Sequence, residues 1–261
     1  MTTINKHTFG TPAWVDLMTP DLEKARAFYG ELFGWTFDVG SPETGFYTMC
    51  RLGGRNAAGM GKMPPDAPFP TSWSVYFAVE STDATCARIK EHGGQIMMEP
   101  MDVMGEGRMA FCADSTGAAF GLWQPMRHTG ANVIEEPGAM VWQEVNTRDA
   151  ARAVKFYSGV FGLEGRKLED PTMQYFTLHK GPKAVCGVLQ MDEKWPKEIP
   201  PHWMNYFAVS NTDEAVKKVT KLGGKVVEAP FDTPYGRMAV VTDPFGAHFN
   251  LVVPSDEAMS V

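Results

Sequence analysis

The sequence predicts an α+β chain of four βαβββ modules, paired into two tandem domains that each form a curved half-barrel cup. Three observations predict it: the second half repeats the first, each half divides again into two units with one order of local signals, and every unit sets a helical apolar spacing among short apolar strands. At an offset of 128 to 130 residues, Trp14 falls on Trp142, Phe28-Tyr29 on Phe156-Tyr157 and Phe33-Gly34 on Phe161-Gly162. Tyr76 to Val79 likewise matches Tyr206 to Val209, Gly93-Gly94 matches Gly223-Gly224, and Gly107 to Ala110 matches Gly236 to Ala239.

In the first unit, Ala13 to Met18 is a strand candidate, and Thr19-Pro20-Asp21 supplies a helix start with a hydroxyl cap and a proline in the first turn. Leu22, Ala25, Phe28, Tyr29, Leu32 and Phe33 then recur at helical spacing until Gly34 ends the run. The second unit repeats this with Val75 to Val79 as strand, Ser81-Thr82-Asp83 as helix start and Gly93-Gly94 as helix stop. Strands around Gln95 to Met98, Arg108 to Cys112 and Ala119 to Trp123 complete it, the last two joined by a turn over Asp114 to Gly117. Periodicity fails after Arg127. The expected division is therefore a first domain over 9–126, a linker over 127–136 and a second domain over 137–254, each domain long enough to bury a core of its own.

The formal net charge of −7 repels a phosphate backbone, which argues against nucleic acid as a partner. No run approaches the roughly 20 apolar residues that cross a bilayer, and the first residues lack the apolar core of a secretory signal, so no membrane partner and a cytoplasmic location are expected. Cys50, Cys86, Cys112 and Cys186 lie far apart and read as reduced, buried thiols. A Gly-rich phosphate loop and a nucleophile-elbow serine are both absent.

The order of strand, Thr-Pro-Asp, helix ending in Phe-Tyr and Phe-Gly, then Gly-Arg-Met-Ala and an Asp-x-x-Gly turn before a final strand resembles the vicinal oxygen chelate superfamily. This group includes glyoxalase I, bleomycin-resistance proteins, extradiol dioxygenases and fosfomycin-resistance enzymes. The resemblance covers about residues 9–126 and 137–254 and implies two glyoxalase-like cups, each with a divalent metal held by His, Glu or Gln from the first and last strands of its modules. Carried over residue by residue, those places hold Trp14 and Trp142, Ser74 and Met204, and Gly121 and Asn250. The last strands of the odd modules, near Ala58 to Met63 and Cys186 to Met191, add no His, Asp or Glu, while His202 and His248 each stand two residues from a lost position. No metal and no other cofactor is therefore expected.

Side chains alternate across a strand, so residues that share parity with those places face the cup. An acid follows the tryptophan by two in both halves, giving Asp16 and Glu144, and a carboxyl desolvated beside an indole gains a raised pKa suited to proton transfer. Asp16, Glu144 and His248 are the candidate catalytic groups; the alternative for the two acids is a structural role, accepting hydrogen bonds from the backbone or pairing with Arg108 and Arg237. Trp14, Trp73, Trp123, Trp142 and Trp203 are candidate ligand walls, with Arg108 and Arg237 for an anionic group and Asn250 as a polar contact. The leading expectation is metal-independent binding of a small apolar or aromatic molecule, for detoxification, resistance or secondary metabolism, by a monomer or homodimer. A lyase, isomerase or cyclase working through the acids is the alternative, and a metal-dependent glyoxalase or dioxygenase the third reading.

Overall fold

The computed structural model describes residues 4–255. Its first half runs β1 (Pro12–Thr19), α1 (Leu22–Phe33), β2 (Thr36–Val39), β3 (Thr48–Leu52), β4 (Arg55–Lys62), β5 (Ser72–Ala78), α2 (Thr82–Glu91), β6 (Gln95–Val103), β7 (Gly107–Ala113) and β8 (Ala119–Pro125). The second half repeats this order with β9 (Met140–Thr147), α3 (Ala150–Phe161), β10 (Glu164–Lys167), β11 (Tyr175–Lys180), β12 (Lys183–Gln190), β13 (His202–Ala208), α4 (Thr212–Lys221), β14 (Lys225–Thr233), β15 (Gly236–Thr242) and β16 (His248–Pro254). Each half is one eight-stranded sheet, ordered β2-β3-β4-β1-β5-β8-β7-β6 and β10-β11-β12-β9-β13-β16-β15-β14, so four βαβββ modules form two glyoxalase-like sheets as expected. Within a sheet the two modules join through antiparallel β1 and β5, or β9 and β13.

Local signals place the helices with one change. Gly34 ends α1 in the left-handed region at φ 72, where a glycine carries no Cβ penalty. The cap at the other end is Asp21, whose carboxylate accepts the Lys24 N–H at 3.0 Å; Thr19 stays in β1. Ser81 caps α2 as expected.

Although each half is long enough to bury a core of its own, the buried apolar clusters contain residues of both halves. One apolar cluster joins Phe28, Tyr29 and Phe33 of α1 to Phe207, Val219, Val241 and Phe249 of the second half. The other joins Phe77, Ile89 and Phe120 to Phe156, Tyr157, Phe161 and Trp203. Helix α1 packs against α4 and α2 against α3, while β5 meets β13 at the centre. The physical reason is the face each sheet exposes. Its helices cover part of one side, and the remaining apolar surface is closed by the other half.

Reciprocal hydrogen bonds lock this arrangement. Trp73 Nε1 donates to Tyr29 Oη at 3.0 Å, and Tyr29 donates across the halves to Asp243 Oδ2 at 3.2 Å. Trp203 Nε1 donates to Tyr157 Oη at 3.1 Å, and Tyr157 donates to Asp114 Oδ2 at 2.8 Å. Asp114 and Asp243 each also accept two backbone N–H groups of their own turn on Oδ1. The repeated Phe-Tyr and Asp-x-x-Gly motifs are thus the two ends of one interdomain brace. All four cysteines are free and buried, and among the described residues no helix is long and apolar enough to cross a membrane.

Candidate functional site

The face of each sheet turned away from the helices carries a cross-strand row at its centre. In the first cup the register aligns Trp14 with Tyr76 and Tyr76 with Gly121, with Asp16 beside Gly59 and Ser74 in the next row. Gly59 and Gly121 have a steric reason: a Cβ at Gly59 would overlap the Tyr47 hydroxyl, and one at Gly121 would overlap the Tyr76 ring. Trp14 Nε1 donates to Tyr47 Oη at 3.1 Å, and Tyr47 donates to Asp16 Oδ2 at 3.3 Å. The Tyr76 hydroxyl also lies against this carboxyl, but Oδ1 is left without a hydrogen bond of ordinary geometry.

The second cup repeats the array. Trp142 Nε1 donates to Tyr175 Oη at 2.8 Å, Tyr175 donates to Glu144 Oε2 at 3.0 Å, and Tyr206 donates to Glu144 Oε1 at 2.8 Å. One additional methylene lets Glu144 satisfy both oxygens where Asp16 satisfies one. Asp16 is 6% exposed and Glu144 5%, and loss of water pushes each carboxyl up to about 7; the tyrosine hydroxyls, which favour the charged form, oppose that rise.

Asp16, Glu144, Trp14 and Trp142 therefore lie together in their cups, bonded to tyrosines and not to arginines. Trp123 lines the first cup, and Asn250 lines the second beside Tyr206 with its Oδ1 unpartnered. His248 is exposed at the edge of the second cup, its Nδ1 3.1 Å from the Gly246 carbonyl. Four other residues lie elsewhere. Trp73 and Trp203 point to the opposite face, into the shared cores, because their register partners Leu17 and Val145 do so. Arg108 and Arg237 lie a residue out of phase with the cup and pair instead with Asp83 and Asp102, and with Asp213 and Asp232.

Sequence reasoning missed Tyr47, Tyr76, Tyr175, Tyr206 and His128. The tyrosines were visible as pairs in the duplication. His128 comes from the segment between the halves and stands edge-on to Trp14, ring centroids 4.4 Å apart, and 5.4 Å from Trp123. Its buried Nε2 has no partner, and burial lowers its pKa to about 4, so the ring is neutral at pH 7. Two surface depressions, of about 320 Å³ beside Asp21 and Arg26 and about 430 Å³ beside His92 and Arg152, lie outside both cups. At the centre of the first cup Trp14, Tyr76 and Trp123 are themselves buried, while Trp142 and Tyr206 of the second are half-buried.

Two sheets of paired βαβββ modules, each with a polar centre on its open face, define a glyoxalase-type protein. The chain belongs to the Glyoxalase/Bleomycin resistance protein/Dioxygenase superfamily, whose family model matches residues 11–122 and 139–251. It is 40% identical over 253 residues to the CFP32 protein of Mycobacterium tuberculosis, covering 95% of this chain and 96% of the relative. It is 38% identical over 262 residues to the anthracycline biosynthesis protein DauV of Streptomyces sp. strain C5, covering 93% of each. Among solved structures, the Mn(II)-bound glyoxalase of Novosphingobium aromaticivorans shares the fold at a TM-score of 0.64 and 15% identity, over 96% of this chain and 89% of that one. The 2,2',3-trihydroxybiphenyl 1,2-dioxygenase of Sphingomonas wittichii strain RW1 does so at 0.65 and 14%, over 96% and 94%.

The residues at the cup centres do not fit a divalent metal of the kind the family resemblance implies. The rows Trp14, Tyr76, Gly121 and Trp142, Tyr206, Asn250 offer neither imidazole nor carboxylate, and the neighbouring acids are engaged by phenols. Among the described residues no group of three or more His, Cys, Asp or Glu is placed to hold a metal ion.

Proposed function

We propose that this chain binds a small, flat aromatic molecule in its glyoxalase-like cups without a resident metal, serving detoxification, resistance or secondary metabolism. One observation carries the reading: the centre of each cup is a tryptophan, tyrosine, carboxyl and tyrosine array, Trp14-Tyr47-Asp16-Tyr76 and Trp142-Tyr175-Glu144-Tyr206. Aromatic rings around a few buried polar groups favour flat ligands and fix their orientation by hydrogen bonds. The relative that serves anthracycline biosynthesis supports the same class, since an anthracycline is a fused-ring aromatic. The free, buried cysteines support a reducing, cytoplasmic setting.

The test is a titration of chelator-treated protein with a panel of fused-ring aromatics, followed by tryptophan emission and calorimetry. Saturable binding at one or two sites per chain is expected. Binding that appears only after a divalent metal is restored would overturn the metal-free reading, and no saturable binding by any member would overturn the ligand class.

A second reading, acid–base catalysis by a lyase, isomerase or cyclase, is favoured by the two carboxyls held near 7, where a group both gives and takes a proton at neutral pH. Turnover lost in Asp16→Asn or Glu144→Gln while ligand affinity holds would support it.

A further inference from the structure

Tyr47 and Tyr175 reach the cups differently from every other residue there. Tyr47 ends the loop 40–47 just before β3 and Tyr175 opens β11 after 168–174, and each places a phenol between an indole N–H and a buried carboxyl, over a glycine that leaves room for it. A phenol is therefore what the centre of the cup is built to hold. The two phenols are not held equally. Around Tyr175 the bonds are 2.8 and 3.0 Å and both Glu144 oxygens are taken; around Tyr47 they are 3.1 and 3.3 Å, and Asp16 Oδ1 is unpartnered. Phe46, immediately before Tyr47, has φ 60 and a side chain 47% exposed, a left-handed backbone that costs a bulky residue energy; no non-glycine residue of 168–174 does this. Displacing Tyr47 would break the longer pair of bonds, and displacing Tyr175 the shorter pair.

We propose that the first cup is the ligand site, that Tyr47 is an internal stand-in for its ligand, and that the ligand is a hydroxylated aromatic whose hydroxyl replaces the Tyr47 phenol between Trp14 and Asp16. The incoming hydroxyl accepts from Trp14 Nε1 and donates to Asp16, while Trp123 and His128 flank the ring at the same end of the cup. Binding moves the 40–47 loop away from the cup.

This inference rests on the aromatic-ligand reading, and the experiment separates the two. Naphthol and naphthalene are titrated calorimetrically into the wild-type chain and into Tyr47→Phe and Tyr175→Phe. The Phe side chain keeps the ring and removes the two hydrogen bonds that a ligand must break. Naphthol is expected to bind the wild type more tightly than naphthalene does, and Tyr47→Phe to bind naphthol roughly threefold to tenfold more tightly than the wild type, the equivalent of about one hydrogen bond. Tyr175→Phe reports on the second cup: a gain in naphthol affinity as large as that of Tyr47→Phe overturns the assignment of the ligand to the first cup. Hydrogen exchange needs no variant: amides of 40–47 should exchange faster when naphthol is bound to the wild type. Unchanged or weaker naphthol binding in Tyr47→Phe, or slower exchange in the loop, overturns the displacement and leaves the aromatic-ligand reading standing. Failure of both probes to bind any of the three proteins sinks the aromatic reading itself.

Discussion

Asp16 and Glu144 are carboxyls that the folded chain prefers neutral. An isolated aspartate ionises near 3.8, while in the cup Asp16 does so at about 7, so between those values the native state holds a proton that the unfolded chain has lost. Stability contributed by this group therefore falls as pH rises from about 4 to about 7 and is level above that. Glu144 acts in the same direction from 4.5 to about 7. Asp16→Asn keeps the shape and removes the titration, so the variant should gain on the wild type across this window, by an amount on the order of 1 to 3 kcal/mol at pH 8. Urea unfolding at pH 5 and pH 8 measures it. A difference between variant and wild type that is the same at both values would mean the carboxyl is not held neutral. The acids were legible in the sequence because parity from the tryptophans places them in the cup. Their partners were not: whether an acid meets arginine or tyrosine depends on which loop end reaches over the sheet, and Tyr47 and Tyr175 lie 31 residues further along the chain from Asp16 and Glu144.

At the level of the elements, the helices and strands follow from local signals, while their faces do not all do so. Trp73 and Trp203 read as cup walls because they neighbour a presumed ligand place, yet the β1–β5 and β9–β13 registers turn them into the cores. Register between strands from different modules is a tertiary property, and a slip of one residue exchanges the two faces. Helix α3 shows a different constraint. Gly159 sits in its interior, where glycine ordinarily costs 0.5 to 1 kcal/mol relative to alanine. A Cβ there would overlap the His92 ring at the end of α2, so the glycine permits the close approach of α2 and α3. That ring belongs to an exposed side chain that can turn aside at some cost, so Gly159→Ala should gain less than the usual roughly 0.5 to 1 kcal/mol of a helix glycine-to-alanine change. Thermal unfolding of Gly159→Ala in the wild type and in a His92→Ala background checks it: alanine should stabilise more in the second background, and equal effects in the two would refute the steric account.

The whole molecule is two repeats that fold as one body. Duplication was legible in the sequence because the repeated residues are the ones that hold local turns and packing faces. Shared cores were not, because the pattern that makes a face apolar does not say which half covers it. Here α1 is buried against Phe207 and Phe249, and Phe77 stacks on Phe161 with ring centroids 4.6 Å apart, so each half closes the other. The Tyr29-Asp243 and Tyr157-Asp114 bonds cross the same boundary, and cutting the chain would leave buried hydroxyls and carboxyls to water or to nothing. A fragment spanning 137–255 should therefore lack a cooperative unfolding transition and should bind a dye for exposed apolar surface, although it contains every strand of one sheet. Co-expression with 4–136 should restore a soluble complex with a single transition, because the missing surface is supplied in trans. A fragment that unfolds sharply on its own and has a dispersed amide spectrum would show instead that the second half carries a sufficient core, and that the interdomain brace serves to align the cups and not to hold either one together.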